Sequence, residues 1–297
     1  MIEIGSASRP LRGIGLTALG YGLFSVQDAT VKWLVVHYAV PQILFTRSLV
    51  IIAIACLIGG RRNMPLLVQS RNKMALVMRA ALILFAWLSY YTAARSLGLA
   101  ELTTLYYAAP IIVVVLSVLI LKENVSITRW LVVLVGFGGV VLAADPAGSV
   151  NIVPASMAVF AACCWGLSVI LVRLISKSET TANQMIVSNA LFAAVCALML
   201  AWCWKTPDPF SLLLMLGLGL AGGLGQFFLY EGFRFAPASV VAPIEYTGLV
   251  WAFLYGYVIW ADIPKIEVFA GAALIVISSL ALIWFERRRA LRLAASV

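Results

Sequence analysis

Asp28, Lys32, Arg47 and Glu245 stand inside long apolar runs of this chain, where an ionised group costs several kcal/mol unless it is paired or wet. Asp28 and Lys32 are spaced i, i+4, so on a helix they share a face and can neutralise each other. The alternative is that the pair stands at a cavity mouth, gating it or meeting the two charges of a zwitterion. Arg47, a few residues into the run QILFTRSL, is expected either to snorkel to an interface or to anchor the Asp28 carboxylate from the neighbouring helix. Glu245, beside Tyr246, is the candidate proton-coupling carboxylate, since burial raises a carboxyl pKa toward neutrality. Around these charges stand aromatics away from the expected interfacial belts: Tyr21, Trp87, Tyr90, Tyr107, Trp165 and Tyr246. Tyrosine and tryptophan combine apolar area with one polar handle, so a ring of them would hold an uncharged or zwitterionic organic solute. Ser168 and Gln226 are polar groups in apolar segments that could hydrogen-bond such a solute.

The elements that must position these residues follow from composition. The chain has 297 residues, 63% of them hydrophobic and 11% charged, with a mean hydropathy of +1.04. That is too little charge to coat a water-facing surface. Runs long enough to cross a bilayer as helices fall at 11–36, 41–60, 74–97, 102–121, 127–144, 152–175, 182–204, 211–235, 239–260 and 266–285. The expected fold is therefore an all-α membrane protein of ten spans, with short loops and no soluble domain. The net charge of +9 does not point to nucleic acid, because the basic residues cluster between the apolar runs. They gather at 9–12, 61–79, 122–129, 173–177, 234 and 287–292, whereas the opposite loops hold Arg95, Lys205 and Lys265. By the positive-inside rule both termini are cytoplasmic. The five cysteines show no metal-ligand spacing, and no metal or cofactor is expected.

The two halves of the chain resemble each other. AARSLGLAELTTLYYAAPIIVVVLSVLILKEN lies without a gap over GFRFAPASVVAPIEYTGLVWAFLYGYVIWADI, bringing Arg95 onto Arg234, Tyr107 onto Tyr246 and Glu123 onto Asp262. QILFTRSL likewise lies over QMIVSNAL. Five spans per half is an odd number, so the second half must enter the membrane inverted, as in carriers that bind their solute near the midplane between repeats. The expected units are 1–147 and 148–290, followed by a tail, 291–297.

Further residues carry a resemblance to a known family: Lys32–Trp33, Pro41, Arg47, the segment ending at Pro110, Lys122–Glu123, Trp165–Gly166, ASVVAPIEY from Ala238, and Asp262. With these the chain resembles the drug/metabolite transporter superfamily, and within it the EamA-type exporters. It departs from the pattern at Leu249, where a proline matching Pro110 would be usual. The resemblance implies an exporter of amino acids and related metabolites, neutral or aromatic, in the cytoplasmic membrane. It would work by alternating access, with a small-molecule substrate, the lipid bilayer and a candidate coupling proton as its partners. Pro110 in the fourth span and Gly222 and Gly223 in the eighth are the expected hinges. Drug-like solutes or nucleotide sugars are the alternative cargoes. A membrane-embedded enzyme is the alternative class, disfavoured because the single histidine, His37, falls in a loop and no HExxH is present. GxxxxGK[ST] is also absent, so the driving force must be a gradient.

Overall fold

The structure is a computed structural model, and it describes residues 8–59, 73–121, 127–143, 151–175, 179–235 and 247–294. Eleven helices run through these residues: α1 Ser8–Leu34, α2 Val40–Gly59, α3 Lys73–Ala93, α4 Leu99–Tyr106, α5 Ala108–Leu121, α6 Ile127–Ala143, α7 Ile152–Ile175, α8 Thr181–Cys203, α9 Pro209–Phe235, α10 Thr247–Trp260 and α11 Ile266–Ala294. α4 and α5 are two pieces of one span, so the helices make ten spans. Several are rich in valine and isoleucine, α5 above all (AAPIIVVVLSVLIL). Such residues are mediocre helix formers in water. In hydrocarbon, however, a helix satisfies every backbone group internally, and that requirement overrides propensity. The helices are apolar nearly all round, and large side chains such as Leu57 and Trp202 are 84% and 85% exposed. Exposed apolar surface on this scale belongs against lipid.

The fourth span is not the single helix expected over 102–121. It breaks at Tyr107, whose φ of −72° and ψ of 8° leave the helical region. Pro110 has no N–H to return to the Tyr106 carbonyl, and a proline ring crowds that carbonyl. The break therefore falls one turn ahead of the proline. The beginning of the ninth span, 239–246, lies outside the described residues, as do Tyr246, Glu245, Glu123 and the segment from Ala238.

Helix pairing obeys an exchange of halves. α1 packs along α9, and α3 packs along α7; α2 meets α9, and α3 meets α8; α1 meets α10, while α7 meets α4 and α5. Replacing each first-half span by its second-half counterpart turns the first member of each pairing into the second. The remaining strong contacts, α2 with α8 and α6 with α11, map onto themselves. In the α6–α11 contact, glycine allows backbones to touch: a Cβ on Gly139 would lie 2.7 Å from the Gly271 carbonyl oxygen.

α1 and α9 are antiparallel, with Gly232 near the end of α9 set against Gly13 and Thr17 near the start of α1. α1 thus begins and α11 ends on one face of the bundle, the terminal face. α1 ends on the far face, at the short turns that follow α1, α3, α8 and α10.

Candidate substrate-binding site

One stripe of α1 begins the site. Tyr21, Phe24, Ser25 and Asp28 follow the three- and four-residue spacing that lines up one helix face, and all four line a cavity inside the bundle. Trp87 and Tyr90 come from one face of α3, Leu99, Thr103, Tyr106 and Tyr107 from the broken fourth span, Trp165 from α7, and Gly248 and Ala252 from α10. The cavity thus lies between the halves, beside the helix break. A side chain at position 248 would collide with the Tyr107 hydroxyl, so glycine there leaves that hydroxyl its room. The cavity measures about 60 Å³, space for a few water molecules.

Its wall is largely aromatic. Trp87 and Tyr90 meet edge to face at 6.0 Å and 88°, and Tyr90 and Tyr106 at 5.0 Å and 68°. The Tyr90 hydroxyl stands 3.4 Å from Asp28 Oδ2 and 3.5 Å from Thr103 Oγ1. Asp28 Oδ1 is buried and has no hydrogen-bond partner. Among the described residues that line the cavity, Asp28 is the one with a carboxyl group.

Of the two cations that the sequence sets near Asp28, Lys32 is engaged elsewhere, and Arg47 acts on the carboxyl by its charge while its hydrogen bond goes to Gln27. Lys32 does not pair with Asp28. Its Nζ donates to the Leu97 carbonyl at 3.0 Å, lies 3.7 Å from Asp262 Oδ2, and sits 5.3 Å from the Trp260 ring centre. The long lysine stem carries the ammonium past the next turn to the far face, where a carboxylate and a carbonyl await it. Asp262 is presented there by Ala261, whose φ of 51° is left-handed and ends α10 in the manner of a helix C-cap.

Arg47 does not snorkel. It is 2% exposed, its Nε donates to Gln27 Oε1 at 3.0 Å, and its guanidinium lies 5.0 Å from the Trp87 ring centre. It therefore backs the aromatic wall without lining the cavity. α9 leaves room for this arrangement at Gly222, where a Cβ would come within 3.0 Å of Arg47 Nε and closer still to Gln27. At Gly223 a Cβ would come 2.8 Å from Ile54 Cδ1. The two glycines expected as hinges thus stand where α9 touches α1 and α2.

Of the expected binding residues, Tyr21, Trp87, Tyr90, Tyr107 and Trp165 come together on the cavity, with Asp28 among them. Ser168 and Gln226 do not line it. Ser168 is buried in helix packing, and Gln226 turns one turn along its own helix to give a 3.0 Å hydrogen bond to the Tyr230 hydroxyl. Phe24, Ser25 and Thr103 were not anticipated, although their spacing carried the signal: Phe24 and Ser25 lie between Tyr21 and Asp28 on one stripe, and Thr103 lies one turn before Tyr106 and Tyr107.

A ten-span bundle with half-for-half pairing and a central aromatic cavity is the architecture of a carrier. The sequence model of the EamA-like transporter family matches residues 11–144 and 153–284. The chain belongs to the EamA-like transporter family. As an EamA-like transporter it is a multi-pass protein of the cytoplasmic membrane that moves small molecules, and it is not an enzyme. It is similar to the S-adenosylmethionine uptake transporter of Rickettsia conorii, 25% identical over 282 residues that cover 94% of each chain. It is also similar to the pseudopaline exporter CntI of Pseudomonas aeruginosa, 27% identical over 278 residues, covering 91% of this chain and 95% of the relative. A solved crystal structure superposes with a TM-score of 0.68 over 96% of this EamA-like chain and 99% of the other, at 19% identity. That likeness bears on the fold alone.

Proposed function

We propose that this EamA-like transporter exports amino acids or amino-acid derivatives, and that it grips them by a cationic group on an apolar or aromatic body. One observation carries the reading: Asp28, which lines an aromatic cavity, keeps a buried carboxyl oxygen, Oδ1, without a hydrogen-bond partner. Aromatic faces attract cations through their quadrupole, most strongly where water is excluded, and the carboxylate supplies the full opposite charge. Lys32 is engaged on the far face and Arg47 lies behind Trp87, so no cationic side chain is among the described residues that line the cavity. The name of one relative agrees in kind, since S-adenosylmethionine is a sulfonium cation with an amino-acid tail. Uptake and export both occur among these relatives, and export is the direction proposed here.

In this reading the units 1–147 and 148–290 rock about the cavity, the tail 291–297 and both termini are cytoplasmic, and the terminal face is the inner one. Pro110, Gly222 and Gly223 are the proposed flexing points, and Glu245 the proposed proton-coupling group. A cavity of about 60 Å³ must widen to admit an amino acid.

Counterflow in proteoliposomes tests the proposal. Labelled phenylalanine, phenethylamine, S-adenosylmethionine and an uncharged isostere are offered in competition. Cationic and zwitterionic solutes should exchange, and Asp28→Asn should slow their exchange by about 30- to 100-fold, the cost of removing one partner of a buried charge contact. Expression should be intact. Equal exchange of the uncharged isostere, or an Asp28→Asn protein with normal kinetics, overturns it.

A further inference from the structure

A second buried arginine lies outside this cavity. Arg79 on α3 is 1% exposed and precedes Tyr90 by about eleven residues, roughly 16 Å of helix at 1.5 Å per residue. It therefore sits toward the terminal face, beyond the reach of a small solute held by Asp28. Its Nη2 donates to the Tyr230 hydroxyl of α9, and its guanidinium lies 5.2 Å from the Tyr230 ring centre. Arg79 Nε and Nη1 are buried and have no acceptor. Among the described residues no carboxylate lies within ion-pair distance of it. Gln226 Nε2 donates to the same hydroxyl at 3.0 Å, and Gln226 Oε1 is left without a donor.

The chemistry of this trio is directional. The Tyr230 oxygen accepts two donors, so its own proton is available to an acceptor. Each two-pronged edge of the guanidinium shares Nη2, and on each the other prong is open. A buried guanidinium without an anion is costly, and contact with a phenol ring recovers only part of that cost. A carboxylate meets two of these demands at once: one oxygen takes an open guanidinium N–H and the other takes the Tyr230 O–H, while the second open nitrogen and Gln226 Oε1 are left to water. An ammonium meets none of these donors.

We propose that Arg79, Tyr230 and Gln226 form a second, anion-binding station, on the terminal-face side of the cavity, that takes the carboxylate of the transported solute. The proposal rests on the transport reading but not on the cation selectivity of the cavity. A zwitterion would be gripped at the two stations by opposite ends, one after the other.

The test is ligand-dependent thermal stability of the full-length protein in lipid nanodiscs, titrated with phenylalanine, phenylalaninamide, phenethylamine and inorganic phosphate. Wild type should bind phenylalanine at least tenfold more tightly than phenylalaninamide. Arg79→Gln and Tyr230→Phe should each erase that difference while leaving phenethylamine binding unchanged. Tyr230→Phe keeps the ring under the guanidinium, so it serves if Arg79→Gln does not fold. Equal wild-type affinity for the acid and the amide, or a difference that survives both substitutions, overturns the station. Phosphate binding that matches phenylalanine and depends on Arg79 overturns the assignment to a solute carboxylate, since it would mark a site for an inorganic anion. Loss of phenethylamine binding in Asp28→Asn reports on the cavity alone, so failure of either site is read separately.

Discussion

The far face and the interior of this bundle treat charge in opposite ways. On the far face, polar groups find partners across the halves. Lys32 meets Asp262, the Tyr38 hydroxyl donates to Asp208 at 2.9 Å, and Gln42 both gives to and takes from the Lys205 backbone at 2.6 and 3.0 Å. Arg95 adds a bond to the Tyr38 carbonyl, and Trp33 leans on Trp260 with ring centres 6.4 Å apart. In the interior, Asp28 keeps an oxygen without a partner and Arg79 keeps two nitrogens, Nε and Nη1, without an acceptor. The satisfied end is the proposed latch, because its bonds tie the first half to the second. In the proposed reading the unsatisfied groups are held ready, because a fold that buries a charge without its partner gives up stability that a ligand can return.

The sharpest way to break this contrast is at Arg47, which is buried but satisfied. Arg47→Leu removes the bond to Gln27 and the contact with Trp87, and should destabilise the protein by about 2–4 kcal/mol. Arg47→Lys should recover only part of that, because an ammonium has no plane to lay on the indole. Thermal unfolding of the purified protein measures both, and equal stability of the two variants would show that charge alone matters there.

Gly222→Ala comes next. The added methyl meets Gln27 and Arg47, and overpacking of this kind costs about 1–3 kcal/mol. If its unfolding midpoint equals that of wild type, α9 is not seated as tightly as described.

Asp262→Asn probes the latch itself. A partly exposed pair contributes little to stability, about 0–1 kcal/mol, so the change should appear in opening and not in folding. In a cysteine-free background, a cysteine replacing Leu99 on the cavity wall should react with a membrane-impermeant thiol reagent several-fold faster once Asp262→Asn is added. An unchanged rate would mean that the far face is not held by this pair.

The smallest effect is expected at Asp208. It caps α9, accepting from the backbone of Phe210 and Ser211, from the Ser211 hydroxyl and from Tyr38. These bonds hold its carboxyl well below the ordinary 3.8. A depressed folded value means that the contribution is complete above that ordinary value and is lost as pH falls through the lower one. Between pH 5 and 8 the melting point should not change on its account. Asp208→Ala should lower it slightly throughout that range and remove part of the acid sensitivity below it. A melting point that climbs from pH 5 to 8 in wild type but not in Asp208→Ala would contradict the assignment.

Much of the frame was legible in the residues. Apolar runs of bilayer length become helices because a helix satisfies every backbone group within one segment, and Pro110 announced the break by lacking its N–H. The cavity stripe of α1 could be read from helical spacing alone. Partner choice was less legible. Lys32 lies one turn from Asp28 yet reaches Asp262, because a long flexible stem lets distant groups compete with the local one. Gln226 showed the reverse: its partner was the local Tyr230, four residues on, and not the cavity.

By itself, then, the sequence determined the spans, the two-repeat plan and the aromatic and acidic character of the site, since these depend on composition and period. The tertiary structure decided which charges are spent and which are held open. Lys32 and Asp262 are spent on the far face, and Arg47 is spent behind Trp87. Asp28 and Arg79 remain with open valences. That distinction depends on distances of a few ångströms between helices far apart in the chain, and local spacing does not encode them.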